Sequence, residues 1–169
     1  MHQIFKDMKQ TEKSIEHQVF DLLKSKGKTF ASAESCTGGN IAHLITLIPG
    51  SSDVFRGGAV TYATPTKTKV LGVRKEVIDS DGVVSRRVVE AMAIGTRDLM
   101  EADFGVATTG VAGPGGGSEE NPVGTVWIGV ATPHGTISER INFGKGRRKV
   151  IRQATLEAYR LLYEAVKSF

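Results

Sequence analysis

Residues 32–45, SAESCTGGNIAHLI, pass from a run of small side chains through Ser-Cys-Thr-Gly-Gly into an apolar pattern of helical period. Together with the preceding Lys28-Thr29-Phe30-Ala31, the segment reads as a strand that ends at Ser35 and turns directly into a helix. A strand that feeds a helix through glycines is the unit from which α/β domains are built. A serine at such a junction sits beside the unpaired N–H groups of a helix start. The amides of Cys36, Thr37, Gly38 and Gly39 are therefore candidates to hold an anion or a developing oxyanion. Ser35 or Thr37 acting only as an N-cap is the competing structural reading.

The flanking sequence repeats this alternation. Apolar residues Ile15, Val19, Phe20, Leu22 and Leu23 share a helical face over residues 11–26, and Gly27 supplies a stop. GGAVTY, residues 57–62, reads as a buried strand, followed by a helix with Thr64 as N-cap and Pro65 at its first position. Ser85 caps a long helix reaching Met100. FGVATTG, residues 104–110, is a strand, and residues 123–131 and 135–143 form a hairpin around TPHG. A last helix covers residues 148–167. The expected fold is a three-layer α/β/α domain with a mixed sheet, most strand-to-helix loops opening on one edge. Residues 1–11 are expected to be a tail and residues 12–169 a single domain.

The 169 residues carry 22 Lys and Arg against 18 Asp and Glu, a net charge of +4 with no long basic block. That surplus suits a small anionic ligand and gives no footprint for nucleic acid. The single cysteine excludes an intrachain disulfide and a four-cysteine metal site. No apolar run approaches the ~20 residues of a membrane span. The expectation is a cytoplasmic protein with neither membrane nor nucleic-acid partner.

Three stretches can carry chemistry. At the first, Ser35 competes with Cys36 for the nucleophile role, and because successive residues point to opposite sides only one of them can face a given pocket. A serine needs a base. The four histidines, His2, His17, His43 and His134, fall in a tail, two helices and a turn. Lys67 is the other choice: in the first turn of a helix the dipole disfavours its ammonium form, and burial acts in the same direction. Tyr62, at the end of the preceding strand, can relay or orient the proton. A solvated Lys67 and an interior Tyr62 are the structural alternatives. The second stretch, TTGVAGPGGGSEENPVG (residues 108–124), is glycine-rich but matches neither a P-loop nor a GxGxxG fingerprint, so a ligand loop and a long hairpin connection both remain open. The third, GKGRRKVIR (residues 144–152), clusters cations at a helix start, where one arginine can grip a phosphate.

AESCTGG, GGAVTYATPTKTKVLGV, TGVAGPGGGSEENPVGTVWIGVA and RKVIRQAT, in this order and spacing, resemble the CinA C-terminal domain family over roughly residues 12 to 166. The family's characterised enzymes are nicotinamide-nucleotide amidohydrolases. The resemblance implies hydrolysis of the carboxamide of nicotinamide mononucleotide to nicotinate mononucleotide and ammonia, in pyridine nucleotide salvage. It implies a catalytic set of Ser35, Tyr62 and Lys67, and substrate contacts from Arg147 and from the loop residues Thr109, Gly110, Ala112, Gly113, Pro114, Gly116 and Gly117, beside the helix-start amides of Thr37, Gly38 and Gly39 read above. No metal or cofactor is implied. A stand-alone form without the N-terminal molybdopterin-binding-like domain of many relatives, and a homodimer, are further implications. The family usually has Asn where this chain has Thr64. A non-catalytic nucleotide-binding domain and a protein-interaction domain linked to competence or DNA damage are the alternatives.

Overall fold

The computed structural model describes residues 13–169. The expected tail therefore lies outside the described residues. Along the chain come α1 (Ile15–Lys26), β1 (Phe30–Glu34), α2 (Asn40–Thr46), a 3-10 turn (Ser51–Asp53), β2 (Phe55–Val60), α3 (Thr64–Leu71), α4 (Lys75–Asp81) and α5 (Arg86–Leu99). They are followed by β3 (Phe104–Gly110), β4 (Thr125–Thr132), β5 (Gly135–Asn142) and α6 (Arg147–Lys167). The strands form one sheet in the order β2-β1-β3-β4-β5. β1 is parallel to β2 and β3, whereas β4 is antiparallel to β3 and β5. The α/β class and the mixed sheet are those expected from the sequence.

Helices cover both faces, and the two faces are built differently. On one, Phe30, Phe104, Val106, Ile128 and Val130 pack against α1, α2 and α6. On the other, Ala33, Ala107 and Ala131 meet α3, α4 and α5. The small residues follow from how closely α5 approaches the sheet. A Cβ on Gly105 would lie 2.0 Å from the Ala93 carbonyl oxygen, so nothing larger than hydrogen fits there. The alternation of bulky and minimal residues in FGVAT is thus a record of two unequal helix layers. Each large side chain buried on the bulky face contributes about 1.5–3 kcal/mol relative to exposure.

Four details differ from the sequence reading. β2 is an edge strand of alternating exposure instead of a buried one, and Val60 is half exposed. α2 begins at Asn40, after the two glycines, because Gly38 and Gly39 both adopt positive φ (63° and 100°) and cannot belong to a right-handed helix. Ala63, not Thr64, occupies the N-cap of α3, with Thr64 in the first turn. α4 was not foreseen: seven residues with Val77 as the one buried side chain leave too little periodicity to register.

Strands β1, β2, β3 and β5 all run in one direction, so their C-terminal ends share an edge of the sheet. That edge receives the turn at Ser35, the Thr61–Tyr62 segment, the loop after Gly110 and the approach to Arg147. Open α/β sheets bind ligands at this edge because the connecting loops diverge there.

Candidate active site

The β1–α2 turn is organised by a residue the sequence reading passed over. The carboxylate of Glu34, 1% exposed, accepts from the Thr37 hydroxyl (2.6 Å) and from the amides of Gly39 (3.0 Å), Ile41 (3.1 Å) and Ala42 (2.9 Å). It closes the N-terminus of α2 from inside the protein. The Gly38 amide donates to the Ser35 carbonyl at 3.1 Å. The Gly38 and Gly39 amides, expected as oxyanion donors, are both committed in this structure, and neither residue lines the cavity described below. No acceptor engages the amides of Cys36 and Thr37 among the described residues. Thr37 itself is buried, its hydroxyl held between Glu34 and Thr108 (2.8 Å).

On the opposite side of the turn, Ser35 Oγ lies 3.1 Å from Lys67 Nζ. Lys67 leaves the first turn of α3, is 1% exposed, and donates to the Thr61 carbonyl at 2.6 Å. Burial depresses its basicity below that of an ordinary lysine, since the charged form forfeits its hydration. Among the described residues no carboxylate stands within ion-pair distance to restore the charge. Cys36 is buried as well, and that burial pushes its thiol up to about 12. It is a neutral thiol at physiological pH and no rival to Ser35.

Ser35 and Lys67 open into a cavity of about 290 Å³. Its rim holds Arg147, the first residue of α6, which donates to the Tyr62 hydroxyl and to the Gly113 carbonyl, each at 2.7 Å. The expected contact of Tyr62 with Lys67 is not found. Tyr62 is 58% exposed and bonds Arg147, while the Thr61 carbonyl occupies the place on Lys67. The glycine-rich loop forms the far wall through Gly110, Gly113 and Gly116. Gly113 has φ 87°, which lets its carbonyl turn back toward Arg147.

Of the residues expected at the site, the structure brings Ser35, Tyr62, Lys67, Thr109, Gly110, Ala112, Gly113, Gly116 and Arg147 to this one cavity, and leaves Thr37, Gly38, Gly39, Pro114 and Gly117 off its wall. Cys36 also lines it, as do Val83 and Val84, both unforeseen. Their carbonyls accept from the Thr109 hydroxyl (2.9 Å) and the Asn121 amide (3.2 Å), which ties the α4–α5 connection to the glycine loop. The available signal was an apolar pair in a glycine-bearing connection, GVVS, where polar residues are the rule. Among the described residues no group of three or more His, Cys, Asp or Glu is placed to hold a metal ion, and no helix is long and apolar enough to cross a membrane.

A nicotinamide-nucleotide amidohydrolase of Escherichia coli (strain K12), PncC, is 47% identical over 151 residues, covering 89% of this chain and 92% of the relative. A CinA-like protein of Synechocystis is 49% identical over 139 residues, 82% of this chain but 33% of its own length. The chain thus spans about a third of the longer CinA-like relatives. Among solved structures, a CinA superfamily protein of Klebsiella pneumoniae superposes with a TM-score of 0.88 at 32% identity, covering 92% of this chain and 97% of that one. An Agrobacterium tumefaciens competence/damage inducible protein gives 0.86 at 37% identity, covering 90% and 95%. The CinA C-terminal domain model matches residues 12–166, the span over which fold and cavity are built, and the chain belongs to that family.

Proposed function

We propose that this protein hydrolyses the carboxamide of nicotinamide mononucleotide to nicotinate mononucleotide and ammonia, a step in pyridine nucleotide salvage. The observation that carries the reading is the 3.1 Å contact between Ser35 Oγ and the buried Lys67 Nζ at the floor of a cavity rimmed by Arg147. A nucleophile within hydrogen-bond reach of a base whose pKa is lowered by burial is the arrangement that covalent amide hydrolysis requires. The 47% identity to an enzyme of that name, over nearly the full length of both chains, supports the same substrate.

In its neutral form Lys67 has two N–H donors and one lone pair. The Thr61 carbonyl accepts one N–H and orients the amine, leaving the lone pair to accept the Ser35 hydroxyl proton. Ser35 Oγ then attacks the carboxamide carbon. The Cys36 amide, immediately after the nucleophile and unengaged within the turn, is the nearest backbone donor for the oxyanion. The ammonium of Lys67 returns its proton to the amide nitrogen, the C–N bond breaks and ammonia leaves as an ester forms on Ser35. Water, deprotonated by the same lysine, resolves that ester to the carboxylate product. Arg147 carries a permanent charge, and its present acceptors, Tyr62 and Gly113, are both neutral. A substrate phosphate exchanges weak partners for a charge-assisted one.

Ammonia release from nicotinamide mononucleotide, followed with a chelator present for the wild type and Ser35→Ala, tests the reading. Release by the wild type alone is expected. Saturable binding without release from either would replace the hydrolase by a nucleotide-binding domain.

A further inference from the structure

We infer that Glu34 is a positioning residue for the reaction, setting the Ser35 hydroxyl and the Cys36 amide through the turn it grips; the inference rests on the hydrolase reading above. Glu34 is the last residue of β1, a strand buried along its whole length, where a carboxylate has no structural reason to be unless it is fully bonded. It is fully bonded, and all of its donors lie in residues 37–42, the segment immediately after the nucleophile. The grip continues sideways: Thr37 shares its hydroxyl with Thr108, and the carbonyl of Thr108 holds the Ser35 amide at 3.1 Å. Ser35 is thus fixed by its own N–H, by the 3.1 Å bond from Gly38 to its carbonyl, and by a turn clamped from beneath.

Anion recognition is left to Arg147 at the rim, and the turn keeps two amides, those of Cys36 and Thr37, outside the carboxylate's reach. Glu34 touches neither the substrate pocket nor Lys67, so its influence runs through geometry alone.

The test compares the wild type with Glu34→Gln, Thr37→Val and Thr37→Ser, each assayed well below its melting temperature. A displacement of the order of an ångström at a reacting group costs about 100-fold in rate. Glu34→Gln is accordingly expected to lower kcat at least about 10-fold with KM within about twofold. Thr37→Val should follow it in the same direction and Thr37→Ser restore the wild-type value. The pH at which kcat rises should stay fixed while its plateau falls, because Lys67 is untouched. Crystal structures of the wild type and Glu34→Gln read the placement independently of turnover, the expected change being loss of the Ser35–Lys67 hydrogen bond. A folded Glu34→Gln that keeps both kcat and that bond overturns the inference, as does a displaced pH midpoint. A wild type that releases no ammonia defeats the hydrolase reading instead, and the two crystal structures still decide whether Glu34 sets the turn. Should Glu34→Gln fail to fold, the Thr37 pair carries the comparison.

Discussion

Glu34 and Lys67 are equally buried, at 1% exposure each, and sit on either side of the same serine, yet the protein treats them in opposite ways. Glu34 accepts from four donors, three of them backbone amides. Lys67 has a carbonyl and a hydroxyl, and no counter-charge among the described residues. A carboxylate so surrounded has its oxygens occupied by donors and is chemically quiet, whereas an amine stripped of water and left without an anion is pushed toward its neutral, proton-accepting form. The contrast separates the residue that builds the site from the residue that reacts in it.

The largest expected effect falls on Lys67. Lys67→Met should reduce ammonia release by about 1,000-fold or more, since the nucleophile loses its base. Its effect on stability has the other sign and depends on pH. In the folded state the pKa lies below its unfolded value near 10.5, so the unfolded chain binds the extra proton between those two values. Wild-type stability therefore increases as pH rises through that window and is fully present only above the unfolded pKa. The methionine variant has no such dependence. Its melting temperature relative to wild type should be most favourable near neutral pH and lose ground toward pH 10.5; a difference that is flat in pH would mean that Lys67 carries no desolvation cost. For the same reason kcat should rise with pH along a limb centred below the ordinary lysine value.

Glu34→Ala should behave in the reverse manner. It strands three amides, those of Gly39, Ile41 and Ala42, in the interior, at about 1–3 kcal/mol for each group left without a partner. A loss of about 3 kcal/mol or more in chemical denaturation, or failure to accumulate folded protein, is the expected result. A variant of wild-type stability would show that water reaches the turn and that the clamp is dispensable.

How much of this was legible beforehand follows from the range over which each feature is encoded. The strand–helix order was written in local periodicity: Val19, Phe20 and Leu23 on α1, and the Ser85 hydroxyl that receives the Val88 amide on α5. Ser35 and Lys67 could be paired through the family likeness, but their 3.1 Å contact depends on β1 and β2 lying side by side, which no local pattern contains. Local sequence sets Tyr62 near Lys67, but α6 delivers Arg147 from 85 residues away, and that arginine takes the Tyr62 hydroxyl. Gly38 and Gly39 read, from sequence, as room for a substrate to approach the backbone, a role their local pattern cannot separate from a backbone one. In the structure both adopt left-handed conformations, through which the chain passes before α2 starts.

That last reassignment supplies a smaller prediction. Gly39→Ala has room, its Cβ meeting Val60 Cγ2 at an ordinary 3.5 Å, so the cost is backbone strain at φ 100°, about 1–2 kcal/mol. It should lower the melting temperature with kcat nearly intact at low temperature. A collapse of kcat in a stable protein would return the glycine amide to the oxyanion site.

The smallest effect is expected at Cys36, whose side chain and backbone have separate fates. The amide is unengaged within the turn and stands next to the nucleophile, but the side chain is packed in the core beside Thr108 with its thiol pushed up to about 12. At neutral pH almost no thiolate exists, and the side chain is only 5% exposed, so iodoacetamide should leave activity unchanged over hours and react only on unfolding. Cys36→Ala keeps the backbone donor and removes one buried sulfur, which should cost about 1 kcal/mol of stability and less than about twofold in kcat. Rapid inactivation by the reagent, or a large fall in kcat for Cys36→Ala, would transfer the reactive role from the hydroxyl of Ser35 to its neighbour. The quiet half of the comparison would then have to include Ser35 itself.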